Sequence, residues 1–177
     1  YWDVERSGSQ TYEQVEVRTI YRFAEKMDLT AAVGGNWQQY SGGVPTTWYP
    51  IFRIAATYRP VDATTISLEA HQFQQVSASS LAQNYNTIGF SGSVRRRVID
   101  KWFATAGGGY GIADYYATLP GIPPAASSTY YSVRVGVDYE FTERWTAGAF
   151  YQFQSNASDV LNSYTDNQVG VRGSWQF

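Results

Sequence analysis

The feature that most constrains this chain is a period-two alternation of side chains that recurs along almost its whole length. Its C-terminal stretch shows the pattern clearly: Val169, Val171 and Trp175 alternate with Gln168 and Arg172. Successive side chains of a β-strand point to opposite faces, so the alternation predicts strands with two different environments. No segment carries an apolar stripe at the helical period of about 3.6 residues, and the chain is therefore predicted to be all-β.

Alternating segments recur nine times, and residues 1–7 could contribute the end of a tenth. Each segment is about 10–13 residues long, the length that crosses a bilayer when a strand is tilted by about 45°. Strands of soluble proteins average only about 5–6 residues. The predicted strands are 12–23, 28–39, 48–59, 64–76, 85–97, 102–114, 129–141, 145–155 and 164–177.

The connections between these segments alternate between short and long. The short ones lie at 24–28, 60–63, 99–101 and 142–144, and the long ones lie at 39–46, 77–84, 115–128 and 155–163. Short turns at one end and long polar loops at the other indicate an up-and-down meander with two unlike ends. Outer-membrane barrels have this asymmetry, with short turns on the periplasmic side. We therefore predict a transmembrane antiparallel β-barrel of about ten strands.

Composition narrows the class of protein further. The chain has 15 Tyr, 6 Trp, 9 Phe and 16 Gly, which suit strands and turns better than helices. No apolar run approaches the roughly 20 residues that a membrane helix needs. The absence of cysteine excludes disulfides and thiolate metal sites, and the net charge of -2 gives no reason to expect a nucleic-acid partner. We predict no metal and no cofactor.

The two faces of the predicted strands differ strongly in chemistry. One face is rich in valine, alanine and glycine, and the other is polar and unusually rich in arginine. In a soluble sandwich the apolar face would form the core and the polar face would meet bulk water. In a barrel the polar face lines the lumen, and the residues predicted to line it are Glu16, Arg18, Arg53, Glu69, His71, Arg95, Arg134, Asp138, Glu140 and Arg172.

Aromatic residues of the apolar face cluster near the strand ends. Two aromatic girdles that flank an apolar band are typical of a chain that meets both interfaces of a membrane. The girdle expected at the short-turn end includes Trp102, Trp145, Trp175 and Phe177, together with Phe23, Tyr58 and Phe141. The girdle expected at the long-loop end consists of Trp37, Tyr49, Phe73, Tyr131 and Phe153.

The C-terminal strand ends on Phe177, with Trp175, Val171 and Val169 on the same face. In this it resembles the terminal-aromatic signal of bacterial outer-membrane β-barrels, which the barrel-assembly machinery reads. More narrowly, the segment VGVDYEFTERWTAGAFYQFQSNASDV and the closing YTDNQVGVRGSWQF resemble the end of the poorly characterised β-barrel porin-like families.

The resemblance implies a location in the bacterial outer membrane, contact with the lipid bilayer and assembly by that machinery. Residues 1–177 are then a single barrel domain, or the C-terminal part of a longer barrel. The last strand is expected to pair with an N-terminal strand, because pairing removes both exposed edges.

His71 is the only histidine in the chain, and any histidine-dependent catalysis rests on it. Ser67, Glu69 and His71 fall on the same face of one strand, which suggests a hydrolase or an acyltransferase. Residues two apart on one strand are separated by about 6–7 Å, too far for the direct hydrogen bonds of a catalytic relay. We therefore predict a lumen histidine bonded to polar neighbours, no catalytic residue and no enzyme.

The charged face has two interpretations. In a narrow barrel, opposite charges must pair, because an unpaired buried charge is unfavourable, and the arginines then belong to a structural ion-pair network. In a wider pore, a ladder of arginines would favour anions. The function predicted first is a passive pore or structural membrane protein with an Arg/Glu-lined lumen. The alternatives are a barrel component of an export or envelope assembly with a periplasmic partner, and a lumen hydrolase or acyltransferase that uses His71.

Overall fold

The computed structural model describes residues 10–23, 25–40, 46–76, 83–117, 127–158 and 163–175. These residues form nine β-strands. They are β1 (Gln10–Phe23), β2 (Met27–Tyr40), β3 (Thr47–Val61), β4 (Thr64–Val76), β5 (Gln83–Ile99), β6 (Trp102–Ala117), β7 (Ser127–Thr142), β8 (Trp145–Ser158) and β9 (Tyr164–Trp175).

The strands confirm the elements predicted from the alternation, and their ends lie within a few residues of the predicted ones. The shortest strand, β9, has 12 residues and the longest, β5, has 17. The candidate tenth strand at residues 1–7 and the terminal Phe177 both lie outside the described residues. The part of the chain that the structure describes contains no helix of the length and apolar character needed to cross a membrane.

The nine strands form a single sheet in the order in which they occur in the chain, and every neighbouring pair is antiparallel. The connections after β3, β5 and β7 are two-residue turns. At Asp100, in the turn after β5, the backbone has a φ of 37°, a left-handed conformation that tight hairpins require and that Asp tolerates. A register shift accompanies each of these three turns, which places all three irregularities at the same end of the sheet.

The sheet is open between its first and last described strands. Within the described residues β1 pairs with β2 alone, and β9 pairs with β8 alone. The predicted pairing of the last strand with an N-terminal strand therefore does not hold between β9 and β1. The physical reason is parity: in an up-and-down meander of nine strands the first and last run in the same direction, whereas an antiparallel barrel closes with an even number.

The register between strands shows which residues share a face, because directly opposed residues of antiparallel strands point the same way. One row runs from Arg18 through Ala32, Arg53 and His71 to Gly89. All the side chains predicted to line a lumen belong to this polar face.

Burial in the sheet is inverted relative to a soluble protein. The buried apolar side chains are Ala32, Ile51, Phe103 and Ala113, and all four lie on the polar face by register. The valines of the opposite face are exposed; Val169 and Val171 are 84% and 87% accessible. The sheet therefore has no conventional core on its apolar side.

Contacts that skip strands show that the sheet curves toward its polar face. Gln38 on β2 accepts a hydrogen bond of 2.8 Å from Asn84 on β5, and the ring of Tyr49 on β3 stacks on Tyr116 of β6 at 5.1 Å. Neighbouring strands lie about 4.8 Å apart, so these pairs could not meet across a flat sheet. The polar face is therefore concave.

Candidate functional site

The concave polar face divides into two chemically distinct halves. The half next to the two-residue turns carries charged pairs, and the half next to the long connections carries amides and tyrosines. Residues around Arg53, Glu69 and His71 lie at the boundary between the halves. The two halves differ in chemistry and therefore support different roles.

The strongest ion pair of the charged half joins Asp138 on β7 to Arg172 on β9. Arg172 Nε donates to Asp138 Oδ1 at 2.7 Å, and a second guanidinium nitrogen donates to Oδ2, so the pair is bidentate. Gly148 on β8 lies between the two residues in the same row of the sheet. A Cβ at this position would overlap Asp138 Oδ1, so the glycine is what lets the ion pair cross the intervening strand.

Other charged pairs of this half also join neighbouring or next-neighbouring strands. Arg95 on β5 donates to Glu140 on β7 at 3.1 Å, and its guanidinium lies 3.8 Å from the centre of the Phe103 ring. Asp28 accepts hydrogen bonds from both Arg22 and Arg59. These contacts join charged groups of the polar face into pairs, and both interpretations of that face, a structural ion-pair network and an arginine-lined pore, stay predictions.

Two further pairs lie at mid-height of the sheet. Arg18 Nη2 lies 3.1 Å from Glu16 Oε1, and Arg53 Nε lies 3.5 Å from Glu69 Oε1. Arg134 differs from these arginines. It forms no ion pair among the residues that the structure describes, and its guanidinium stacks 4.1 Å above the Phe150 ring. Arg134 therefore carries a charge on the polar face that no described carboxylate neutralises.

His71 lies against both a carboxylate and an aromatic ring. Its Nδ1 is 3.2 Å from Glu69 Oε1, although the direction of approach does not make an aligned hydrogen bond. Its ring stacks on Phe73 at 5.0 Å. The two side chains are therefore closer to each other than the Cα atoms that carry them, because side chains lean along the strand.

Two glycines on neighbouring strands make room beside His71. A Cβ at Gly89 would lie 2.6 Å from His71 Nε2 and 3.1 Å from Tyr130 Oη, so both polar atoms reach over this glycine. A Cβ at Gly111 would collide with the Tyr130 ring. The ring that packs over Gly111 is that of Tyr130, whereas Tyr110 lies on the apolar face by its register with Tyr131.

Two adjacent cavities open on the half next to the long connections. The first, of about 450 Å³, is lined by amides and charged groups that include Asn36, Gln74 and His71. The second, of about 440 Å³, is lined by tyrosines together with small polar residues. Phe73 and Gln75 belong to both cavities, which are therefore contiguous.

The apolar face carries aromatic rings at both ends of the strands. At the short-turn end Trp145 stacks on Trp175 at 5.8 Å, and Trp102 packs against Tyr139 at 4.9 Å. At the other end Trp37 packs on Trp48. Phe177 lies outside the described residues. Phe73 and Tyr49 were predicted for the upper girdle and are not part of it, because the strand register directs them to the polar face.

The predicted site residues are brought together only in part. The structure pairs Glu16 with Arg18, Arg53 with Glu69, Arg95 with Glu140 and Asp138 with Arg172, and it places His71 beside Glu69. Sequence reasoning missed Asn36, Gln74 and Tyr130. The alternating phase places Asn36 and Tyr130 on the polar face, but nothing in the sequence indicates that they lie together.

This curved, two-faced sheet has the fold of the outer-membrane β-barrels. The structure is similar to that of a loop L8 deletion mutant of OmpT, an outer membrane protein of Vibrio cholerae, with a TM-score of 0.61 and 16% sequence identity. The match covers 99% of this chain and 56% of that one, so the chain spans little more than half the length of its structural neighbour. No protein-family model matches the sequence. No curated protein matches it either.

The comparison with OmpT corrects the prediction that the chain is not an enzyme. At 16% identity the likeness shows the fold alone, and one fold hosts many unrelated functions, so membership of this fold does not exclude catalysis. The spacing on which the prediction rested does not separate the side chains, because His71 Nδ1 and Glu69 Oε1 are 3.2 Å apart, although they are not aligned for a hydrogen bond.

Proposed function

We propose that this chain forms part of the wall of a bacterial outer-membrane β-barrel whose polar face lines a water-filled pore for small solutes. The apolar face then contacts lipid, and the two bands of aromatic rings lie at the two membrane interfaces. The two-residue turns would face the periplasm.

The observation that carries this proposal is the inverted burial of the sheet. Large apolar side chains are exposed along β1, β7 and β9, while Asn36, Thr87, Ser128 and Asp138 are buried on the opposite face. An apolar surface of this extent is unfavourable in water and favourable in hydrocarbon, because hydrocarbon requires that outward side chains be apolar and that backbone groups pair within the sheet.

The ion pairs of the polar face support a hydrated lumen. Most of the paired arginines are substantially exposed, as expected for charges that water can reach, whereas Asp138 is 2% exposed and is bonded at both oxygens. Groups of this kind can line an aqueous pore without the large penalty of an unpaired buried charge.

A planar-bilayer recording tests the pore. The purified protein is refolded in detergent, its folding is verified by heat-modifiable migration and by a β-sheet circular-dichroism spectrum, and it is then added to a lipid bilayer. We expect discrete, stepwise ion currents. A folded, membrane-inserted protein that gives no current above the background of the bilayer would contradict the pore.

A second candidate function is a hydrolase or an acyltransferase, and the contact between His71 and Glu69 favours it. A carboxylate beside Nδ1 can orient a histidine that acts through Nε2 as a general base. Incubation of the folded protein with fluorogenic ester substrates tests this candidate. Hydrolysis that is lost in a His71→Ala variant would support it, and equal rates in the parent and the variant would contradict it.

A further inference from the structure

We propose that the two contiguous cavities of the polar face form a binding site for a neutral, hydroxyl-rich solute of the size of a mono- or disaccharide. The site rests on the proposed function only in that the polar face must be open to solutes. Three observations support it: unpartnered amide atoms, local charge balance and a ring-lined wall.

The amide atoms provide the first argument. Asn36 is 5% exposed, and its Nδ2 donates a hydrogen bond of 3.1 Å to Gln74 Oε1. Asn36 Oδ1 and Gln74 Nε2 are buried and have no hydrogen-bond partner among the described residues, and both side chains line the first cavity. A buried polar atom without a partner costs about 1–3 kcal/mol. The cavity wall therefore holds an acceptor and a donor, and a change of side-chain rotamer would offer both to hydroxyl groups, each of which donates and accepts.

The charges of the first cavity indicate a neutral ligand. Arg18 and Arg53 are its cationic lining residues, and each is already paired with a carboxylate, that of Glu16 or Glu69. No described arginine of this cavity is left to neutralise an anion. A charged ligand would have to compete with these pairs, whereas a neutral one would leave them intact.

Aromatic rings line the second cavity. Phe73, Tyr85, Tyr115 and Tyr130 contribute to its wall, and Ser128 and Asn156, which are hydrogen-bonded to each other at 3.1 Å, add polar groups. A tyrosine offers a flat apolar ring and a hydroxyl at its tip. This combination suits a sugar ring, whose C–H groups can pack on the aromatic face while its hydroxyls bond to polar groups.

Size and position complete the argument. Each cavity has a volume at the lower end of the ~300–1,000 Å³ range of small-molecule pockets, and the two share Phe73 and Gln75. The second cavity lies toward the ends of the strands that lead into the long connections, and the first extends from there to mid-height, where Arg18 and Arg53 lie. A solute that enters from the side of the long connections would therefore contact the second cavity first.

Equilibrium binding to the folded protein in detergent tests the proposal directly. Glucose and trehalose are the neutral probes, gluconate is a charged probe of similar size, and binding is followed by saturation-transfer NMR and calorimetry. We expect saturable binding of the neutral sugars and at least tenfold weaker binding of gluconate. Binding of gluconate as strong as that of glucose would overturn the assignment of a neutral ligand.

Two substitutions locate the site. Gln74→Leu and Tyr130→Leu, one in each cavity, should each weaken trehalose binding about tenfold. Gln168→Leu is the matched control, because Gln168 lies on the same polar face outside both cavities. Equal weakening in the control, or no weakening in either cavity variant that folds, would overturn the site.

The outcome is separable from that of the pore. Stepwise conductance without sugar binding would overturn the binding site and leave the pore intact. Sugar binding by a folded protein that carries no current would support the site and overturn the pore. Failure of both glucose and trehalose to bind at 100-fold molar excess and millimolar concentration would end the proposal.

Discussion

At the scale of single residues, two glycines determine which side chains of the polar face can meet. Gly148 lets Asp138 and Arg172 meet across β8, and Gly111 leaves room for the Tyr130 ring. In both cases a glycine in the middle of a strand is directly opposed in register to a large side chain. Glycine usually weakens a strand because it has no side chain to pack. At these two positions a neighbouring side chain packs in the space that a Cβ would occupy.

Substitution of Gly148 by alanine should break the bidentate pair, because the new Cβ would overlap Asp138 Oδ1. We expect a loss of about 1–3 kcal/mol in the free energy of unfolding, since Asp138 would remain buried without its partner. Urea titration of the protein in lipid vesicles measures the change. Gly173→Ala is the control, because a Cβ at Gly173 has no neighbour within 4 Å; equal destabilisation in both variants would contradict the role of Gly148.

At the scale of the strand, each element presents one apolar face, which we propose contacts lipid, and one polar face, which would line the lumen. Strand β7 illustrates this: Val133, Val135 and Val137 are exposed on one side, and Arg134 and Asp138 point to the other. Substitutions on the two sides of this strand therefore compare the apolar face with the polar face at nearly the same distance from the strand ends.

A charge placed at the middle of the apolar face should be far more harmful than one placed on the polar face. Val135→Arg is expected to destabilise the folded protein in vesicles by about 2–4 kcal/mol, the cost of an arginine near the bilayer midplane. Ser132→Arg, on the polar face of the same strand, should have a much smaller effect. If the Ser132 variant were the less stable of the two, the assignment of the faces would be reversed.

At the scale of the whole molecule, the polar face combines a charged half with an amide- and tyrosine-rich half. Most of its arginines are paired with carboxylates, and Arg134 is not, within the described residues. The near balance of charge is typical of a pore with weak ion selectivity, in which arginines without a carboxylate partner bias permeation toward anions.

Removal of that bias should be measurable. Arg134→Gln is expected to lower the ratio of chloride to potassium permeability by about twofold, read from the reversal potential under a salt gradient, because the lumen loses a positive charge that no described carboxylate pairs. Arg96→Gln is the control, since Arg96 lies on the apolar face by its register with Ala104. A shift in the control as large as that in the Arg134 variant would contradict this assignment.

The sequence by itself determined the strands, their two faces and the unlike ends of the sheet. These follow from the period of side chains along one chain, which is a local property: Val169, Val171 and Trp175 alternate with Gln168 and Arg172 whatever their neighbours are. The charges on one face gave two interpretations, an ion-pair network and an arginine-lined pore, without knowledge of which groups meet.

Only the tertiary structure decided the partners. That Asp138 reaches Arg172 across Gly148, that Tyr130 lies over Gly111, and that Asn36 meets Gln74 depend on register and on curvature. Curvature brings together groups on strands that are not neighbours, and no local pattern records it. The two cavities and the open edges of the sheet are likewise properties of the assembled strands, because they arise from how many strands pair and how far the sheet bends.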